Sequence, residues 1–80
     1  MKKSEGKKSY AVFGLGEFGR SVALELMAAG ADVMVLDKDE DRIMDIADQV
    51  TLAMEIDATE MHSFEKLGLS NMDAVVVAMT

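Results

Sequence analysis

Cysteine is absent from this 80-residue sequence, which excludes a disulfide framework, a thiolate metal site and a cysteine nucleophile. Histidine occurs once, as His62, on a short polar segment with no identifiable partner, so a structural role is expected for it rather than catalysis. No apolar run approaches the roughly 20 residues that a membrane-crossing helix needs, so direct insertion into a bilayer is not expected. The first residues are basic, but no long apolar stretch follows them, and a secretory signal is not expected either. Positive charge is scarce elsewhere. Residues 1–8 carry Lys2, Lys3, Lys7 and Lys8 against Glu5, a net +3, whereas residues 9–80 hold four basic and fourteen acidic side chains, a net −10. Nucleic-acid binding through phosphates needs a basic face, and the bulk of the chain lacks one. Residues 1–8 therefore read as a flexible basic N-terminus, and the setting expected is the cytoplasm.

What the sequence does contain is an alternation of strand and helix signals. Tyr10 to Phe13 is a short apolar run stopped by Gly14, which suits a buried strand. Glu17 to Ala29 has helical spacing, with Phe18, Val22 and Leu26 on one stripe, Ala23 and Met27 beside it, and Gly30 as the stop. Val33 to Leu36 is a second buried run, closed by Asp37. Asp39 is placed to cap a second helix through Ala47, with Ile43, Ile46 and Ala47 turned inward. Val50 to Met54 reads as a weaker strand. Thr59 or Asp57 then caps a short helix carrying Met61, Phe64 and Leu67, with Gly68 at its end, before a fourth strand over Ala74 to Ala78. Continuous apolar strands imply a parallel sheet covered on both faces. Right-handed crossovers then give an α/β, Rossmann-like domain with strand order 3-2-1-4. The chain stops directly after the fourth strand, so residues 9–80 are expected to be the N-terminal part of an incomplete domain. Association with another copy is expected to cover apolar surface near that strand.

The sequence Gly14-Leu15-Gly16-Glu17-Phe18-Gly19 is a G-x-G-x-x-G motif between a strand and a helix. Gly14 permits a tight turn, Gly16 lets the backbone approach a pyrophosphate, and Gly19 lets the helix pack closely on the sheet. The free N–H groups and the helix dipole would then hold phosphates. Asp37 closes the second strand, where a carboxylate can accept hydrogen bonds from an adenosine ribose and would repel a 2′-phosphate. NAD, ADP and ATP are thus favoured over NADP, with Lys38 and Asp39 flanking the pocket. Glu17 suits a helix N-terminus but opposes a bound phosphate if turned inward; Arg20 either compensates or is simply exposed. Asp37, Asp39, Glu40 and Asp41 point in different directions from successive positions, which favours a capped helix start over a metal site. Tyr10 has no lysine four residues on, and no other catalytic constellation is present.

A strand ending in GLGEFG, followed by VLDKDEDRI, EIDATE and LGLSNMDAVVVAMT, resembles the TrkA-N domain. This domain, also called RCK or KTN, is the cytoplasmic regulatory module of potassium transporters and channels. The resemblance spans about residues 9–80. It implies a nucleotide-sensing, non-enzymatic domain in which NAD(H) or ATP/ADP lies across the carboxyl ends of the strands. Carried over, the phosphate turn is Gly14, Gly16, Glu17, Phe18 and Gly19, and the ribose carboxylate is Asp37, near Lys38 and Asp39. Asp57 and Ala58 would border the adenine, while Ala78, Met79 and Thr80 would line the pocket at the end of the fourth strand. Many members of the family carry a basic residue where this chain has Glu17. The resemblance further implies a homo-oligomer, a dimer or an octameric ring, that sits at the inner face of the membrane through a potassium transporter or channel subunit. Two alternatives share the same sequence features: the cofactor-binding half of an NAD-dependent dehydrogenase, and an interaction module with an empty pocket.

Overall fold

The computed structural model describes residues 6–56 and 71–78. Strand β1 spans Ser9–Phe13, helix α1 Glu17–Ala28, strand β2 Asp32–Asp37 and helix α2 Glu40–Ile46. A 3₁₀ turn at Ala47–Gln49 leads into β3, Leu52–Glu55, and the last strand is β4, Ala74–Val77. All strand pairs are parallel and the sheet order is β3-β2-β1-β4. The expected doubly wound order is therefore the observed one. The expected helix between the third and fourth strands, with His62 and Gly68, lies outside the described residues.

Apolar alternation in β1 and β2 feeds two cores. Val12, Val33 and Val35, all fully buried, face the helices, where they meet Ala23, Ile43 and Ile46. On the opposite face Ala11, Phe13, Met34 and Leu36 form a second buried cluster. Burying each of the Val, Ile, Leu, Met and Phe side chains among them contributes about 1.5–3 kcal/mol, so the central strands are anchored from both sides. Strand β2, buried along its whole length, is the rigid element from which the site is built.

Helix α1 ends as its glycine predicts. Gly30 takes φ +89°, its N–H donates to the Met27 carbonyl at 3.0 Å, and the Ala31 N–H reaches back to Leu26 at 3.1 Å. These paired bonds form a Schellman closure, which satisfies carbonyls that the last turn would otherwise leave open. Helix α2 is started by Asp39, whose Oδ1 accepts from the backbone N–H groups of Asp41 at 2.9 Å and Arg42 at 3.4 Å.

Three expectations require correction. Phe18 does not join the inward stripe of α1; it is 67% exposed, and the buried positions are Gly19 and Ala23. The helix meets the sheet through its smallest residues because a close approach at Gly19 leaves no room for a large one. Ala47 is exposed rather than inward, since the chain has tightened into the 3₁₀ turn by then. The fourth strand is not buried on both faces. Val76 packs on the helix-side core, but register with Ala11 and Phe13 puts Val75 and Val77 on the opposite face at the margin of the sheet, where they are 46% and 63% exposed.

Candidate functional site at the carboxyl ends of the strands

Parallel pairing brings the carboxyl ends of all four strands to one edge. The sequence runs outward from β1 through β2 to β3, then returns to β4 on the other side of β1. The boundary between β1 and β4 is thus a topological switch point, the place where open α/β sheets leave a crevice for ligands. The turn after β1 lies on one side of it and Ala78 on the other. Ala78 donates its N–H to the Phe13 carbonyl at 2.8 Å.

Each glycine of the turn has its own physical role. Gly14 has φ +90°, a conformation that penalises any side chain, and its N–H donates to the Leu36 carbonyl at 2.9 Å. A β-carbon on Gly19 would overlap the Gly14 carbonyl oxygen, lie 3.0 Å from its carbonyl carbon and 3.2 Å from the Ala78 β-carbon. Gly19 is therefore the point at which helix, turn and fourth strand converge. Gly16, the N-cap of α1, differs from both. Its φ of −64° and ψ of −176° suit any residue, and a β-carbon there would meet nothing within 4 Å among the described residues. Neither the backbone conformation nor packing against the described residues requires glycine at this position. What its missing side chain leaves is open space beside the helix N-terminus.

The first intrahelical bond runs from the Arg20 N–H to the Gly16 carbonyl, at 2.9 Å. The N–H groups of Gly16, Glu17, Phe18 and Gly19 have no acceptor among the described residues. Orphan donors of this kind, at the positive end of a helix dipole, attract anions. Glu17 and Phe18 are both exposed at this end of the helix.

Asp37 is 6% exposed and occupies the corner between β2 and the turn. Its Oδ2 accepts from the Leu15 N–H at 2.6 Å, and its Oδ1 accepts from the Asp39 N–H at 2.8 Å. One carboxylate thus ties the glycine turn to the entry of α2. Each oxygen retains lone-pair capacity for a further donor, such as a ribose hydroxyl. Lys38 and Asp39 are exposed on the rim. Asp57, Ala58, Met79 and Thr80 lie outside the described residues. The structure therefore gathers Gly14, Gly16, Gly19, Asp37 and Ala78 at one edge.

Two participants escaped the sequence reading. Leu15, buried within the motif, presents the backbone donor that Asp37 holds, a contact across 22 positions that no local pattern announces. Arg42 places Nη1 3.8 Å from Asp37 Oδ2 and Nε 3.7 Å from Asp39 Oδ2. The available signal was a lone base in the acidic first turn of a helix.

Open space at Gly16, N–H groups without an acceptor among the described residues and a buried carboxylate one strand away together suit an anionic group and a hydroxyl donor. In comparison with known sequences, the family model of the TrkA-N domain matches residues 10–80. The chain belongs to the TrkA-N domain family. Among its relatives, Ktr system potassium uptake protein C of Bacillus subtilis is 41% identical over 91% of this chain and 33% of its own length. Ktr system potassium uptake protein A of Vibrio alginolyticus is 36% identical over 92% and 34%, respectively. Ktr system potassium uptake protein A of Bacillus subtilis is 38% identical over 90% and 32%. This TrkA-N chain spans about a third of the length of the curated relatives it matches. Among its described residues no helix is long and apolar enough to cross a membrane.

Proposed function

We propose that this TrkA-N chain binds an adenine nucleotide, NAD(H) or ATP/ADP, and through it regulates potassium transport by a membrane partner. The observation that carries the reading is Gly16, where neither backbone conformation nor packing among the described residues calls for glycine. Open space beside unpartnered N–H groups is what an approaching phosphate requires. The potassium assignment draws support from the relatives, which are named as Ktr system potassium uptake proteins.

In this reading the turn from Gly14 to Gly19, with Glu17 and Phe18 at its rim, holds the phosphates. Asp37 takes the ribose, flanked by Lys38 and Asp39. Asp57 and Ala58 border the adenine, and Ala78, Met79 and Thr80 close the far side. The chain acts as a regulator without chemistry of its own, in a homo-oligomer, a dimer or an octameric ring, at the cytoplasmic face of the membrane. A nucleotide regulates by fitting one shape of that assembly better than another. Moving an equilibrium from 1:99 to 99:1 takes about 10⁴-fold differential affinity, and equal affinity moves nothing. Ligands that share adenosine must therefore be told apart as switches by their far ends.

Potassium uptake by cells carrying the full-length protein provides the test. Wild-type protein is expected to make uptake respond to the cellular nucleotide balance, and Gly16→Ala to abolish that response while the protein stays folded. An unchanged response in Gly16→Ala would refute the reading. A dehydrogenase role, the enzymatic alternative, predicts nicotinamide turnover, whereas a sensor binds without consuming its ligand.

A further inference from the structure

Arg42 occupies the third position of α2, counted from the Asp39 cap. A cation in the first turn opposes the helix dipole, and the residue that best completes a cap there is Glu or Gln. The helix dipole therefore does not favour an arginine at this position, and its i,i+3 pair with Asp39 returns only about 0.2–0.5 kcal/mol. The side chain is 53% exposed and sits between two carboxylates, 3.8 Å from Asp37 Oδ2 and 3.7 Å from Asp39 Oδ2. Both separations exceed hydrogen-bond length, and no guanidinium N–H of Arg42 has a hydrogen-bond acceptor among the described residues. The charge is held at the ribose corner while its donors have no hydrogen-bond acceptor among the described residues.

We propose that Arg42 is a specificity-determining residue at the 2′ position of the bound adenosine. Asp37 and Arg42 form an acceptor and a donor on the same corner. With Asp37 ionised, the acceptor takes a 2′-hydroxyl and the carboxylates keep the guanidinium neutralised, so a 2′-phosphate is disfavoured. With the carboxylate removed, the same guanidinium presents a planar fork suited to a phosphate. The balance between the two residues decides which of two cofactors, differing only at this position, is accepted. This inference rests on the adenine-nucleotide reading above. It adds a choice made at the adenosine end, separate from the switching that depends on the far end.

The test is fluorescence titration of the full-length protein with NADH and NADPH, with ADP titrated calorimetrically as a reference. Wild type is expected to bind ADP and to prefer NADH. Asp37→Asn should move the NADH-to-NADPH preference toward NADPH by about tenfold, the scale of one charge-assisted hydrogen bond. Adding Arg42→Gln to it should cancel that gain. Asp39→Asn keeps a capping side chain and both Asp37 bonds, and should give a smaller shift in the same direction. Arg42→Gln alone should melt no lower than wild type, because it completes the cap, yet bind NADPH more weakly. A gain in Asp37→Asn or Asp39→Asn that survives Arg42→Gln would overturn the proposal, as would no shift in either variant. Wild-type protein that binds none of the three ligands would instead refute the adenine-nucleotide reading itself.

Discussion

Adding one methyl group at Gly19 should cost most of this domain's stability. The new β-carbon would overlap the Gly14 carbonyl oxygen and lie 3.0 Å from the carbonyl carbon, whereas non-bonded carbons prefer about 3.5–4.0 Å. The carbonyl carbon alone must retreat by about 0.5–1 Å. It cannot do so freely. The Gly14 carbonyl and the Leu15 N–H belong to one peptide plane, and that N–H is bonded to buried Asp37 at 2.6 Å. Tilting the plane enough to relieve the overlap swings the donor off the carboxylate. Overpacking costs about 1–3 kcal/mol, and a hydrogen bond to a charged group a further ~1.5–3 kcal/mol. Gly19→Ala should therefore lose about 2.5–6 kcal/mol, against roughly 4–12 kcal/mol available to a domain of this size. Gly16→Ala is the control, since its β-carbon meets nothing within 4 Å among the described residues, and it should stay within about 0.5 kcal/mol of wild type. Urea unfolding followed by far-ultraviolet circular dichroism measures both. Gly19→Ala within about 1 kcal/mol of wild type would refute the reasoning, and so would an equal loss in Gly16→Ala.

Other perturbations separate the remaining devices of the fold. Gly30→Ala, at φ +89°, should destabilise by about 1–2 kcal/mol through the left-handed penalty alone, read as a lowered urea midpoint with an unchanged slope. Asp39→Ala removes the acceptor for two N–H groups of α2 and should cost about 1 kcal/mol. Asp39→Asn should recover most of that loss in the same assay.

The architecture was legible because its signals were redundant. The apolar runs of β1, β2 and β4, the glycines at positions 14 and 30, and the Asp39 cap all pointed to one alternating parallel arrangement, and the observed sheet order is the expected one. Errors arose where burial depends on distance between elements rather than on period. Helical spacing alone put Phe18 inward, but the contact that orients α1 is the touch of Gly19 on Gly14, visible only once turn and helix are packed together. Val75 and Val77 look like buried residues in sequence, yet their exposure follows from the position of β4 beside β1 at the margin of the sheet. At the site, Asp37 was recognisable from its place after a strand. Its hold on the Leu15 N–H was not, because a backbone donor carries no residue signature. Arg42 was hidden in a charged helix start until two distances put it beside the carboxylates of Asp37 and Asp39.

The central claim is that the turn between β1 and α1 is kept open at Gly16 for the phosphates of an adenine nucleotide. Calorimetric titration of ADP into wild-type and Gly16→Ala proteins tests it most directly. Saturable binding to wild type is expected, and at least about tenfold weaker binding to the variant, equivalent to about 1.4 kcal/mol, with the same unfolding midpoint. Equal affinity for the two proteins would contradict it.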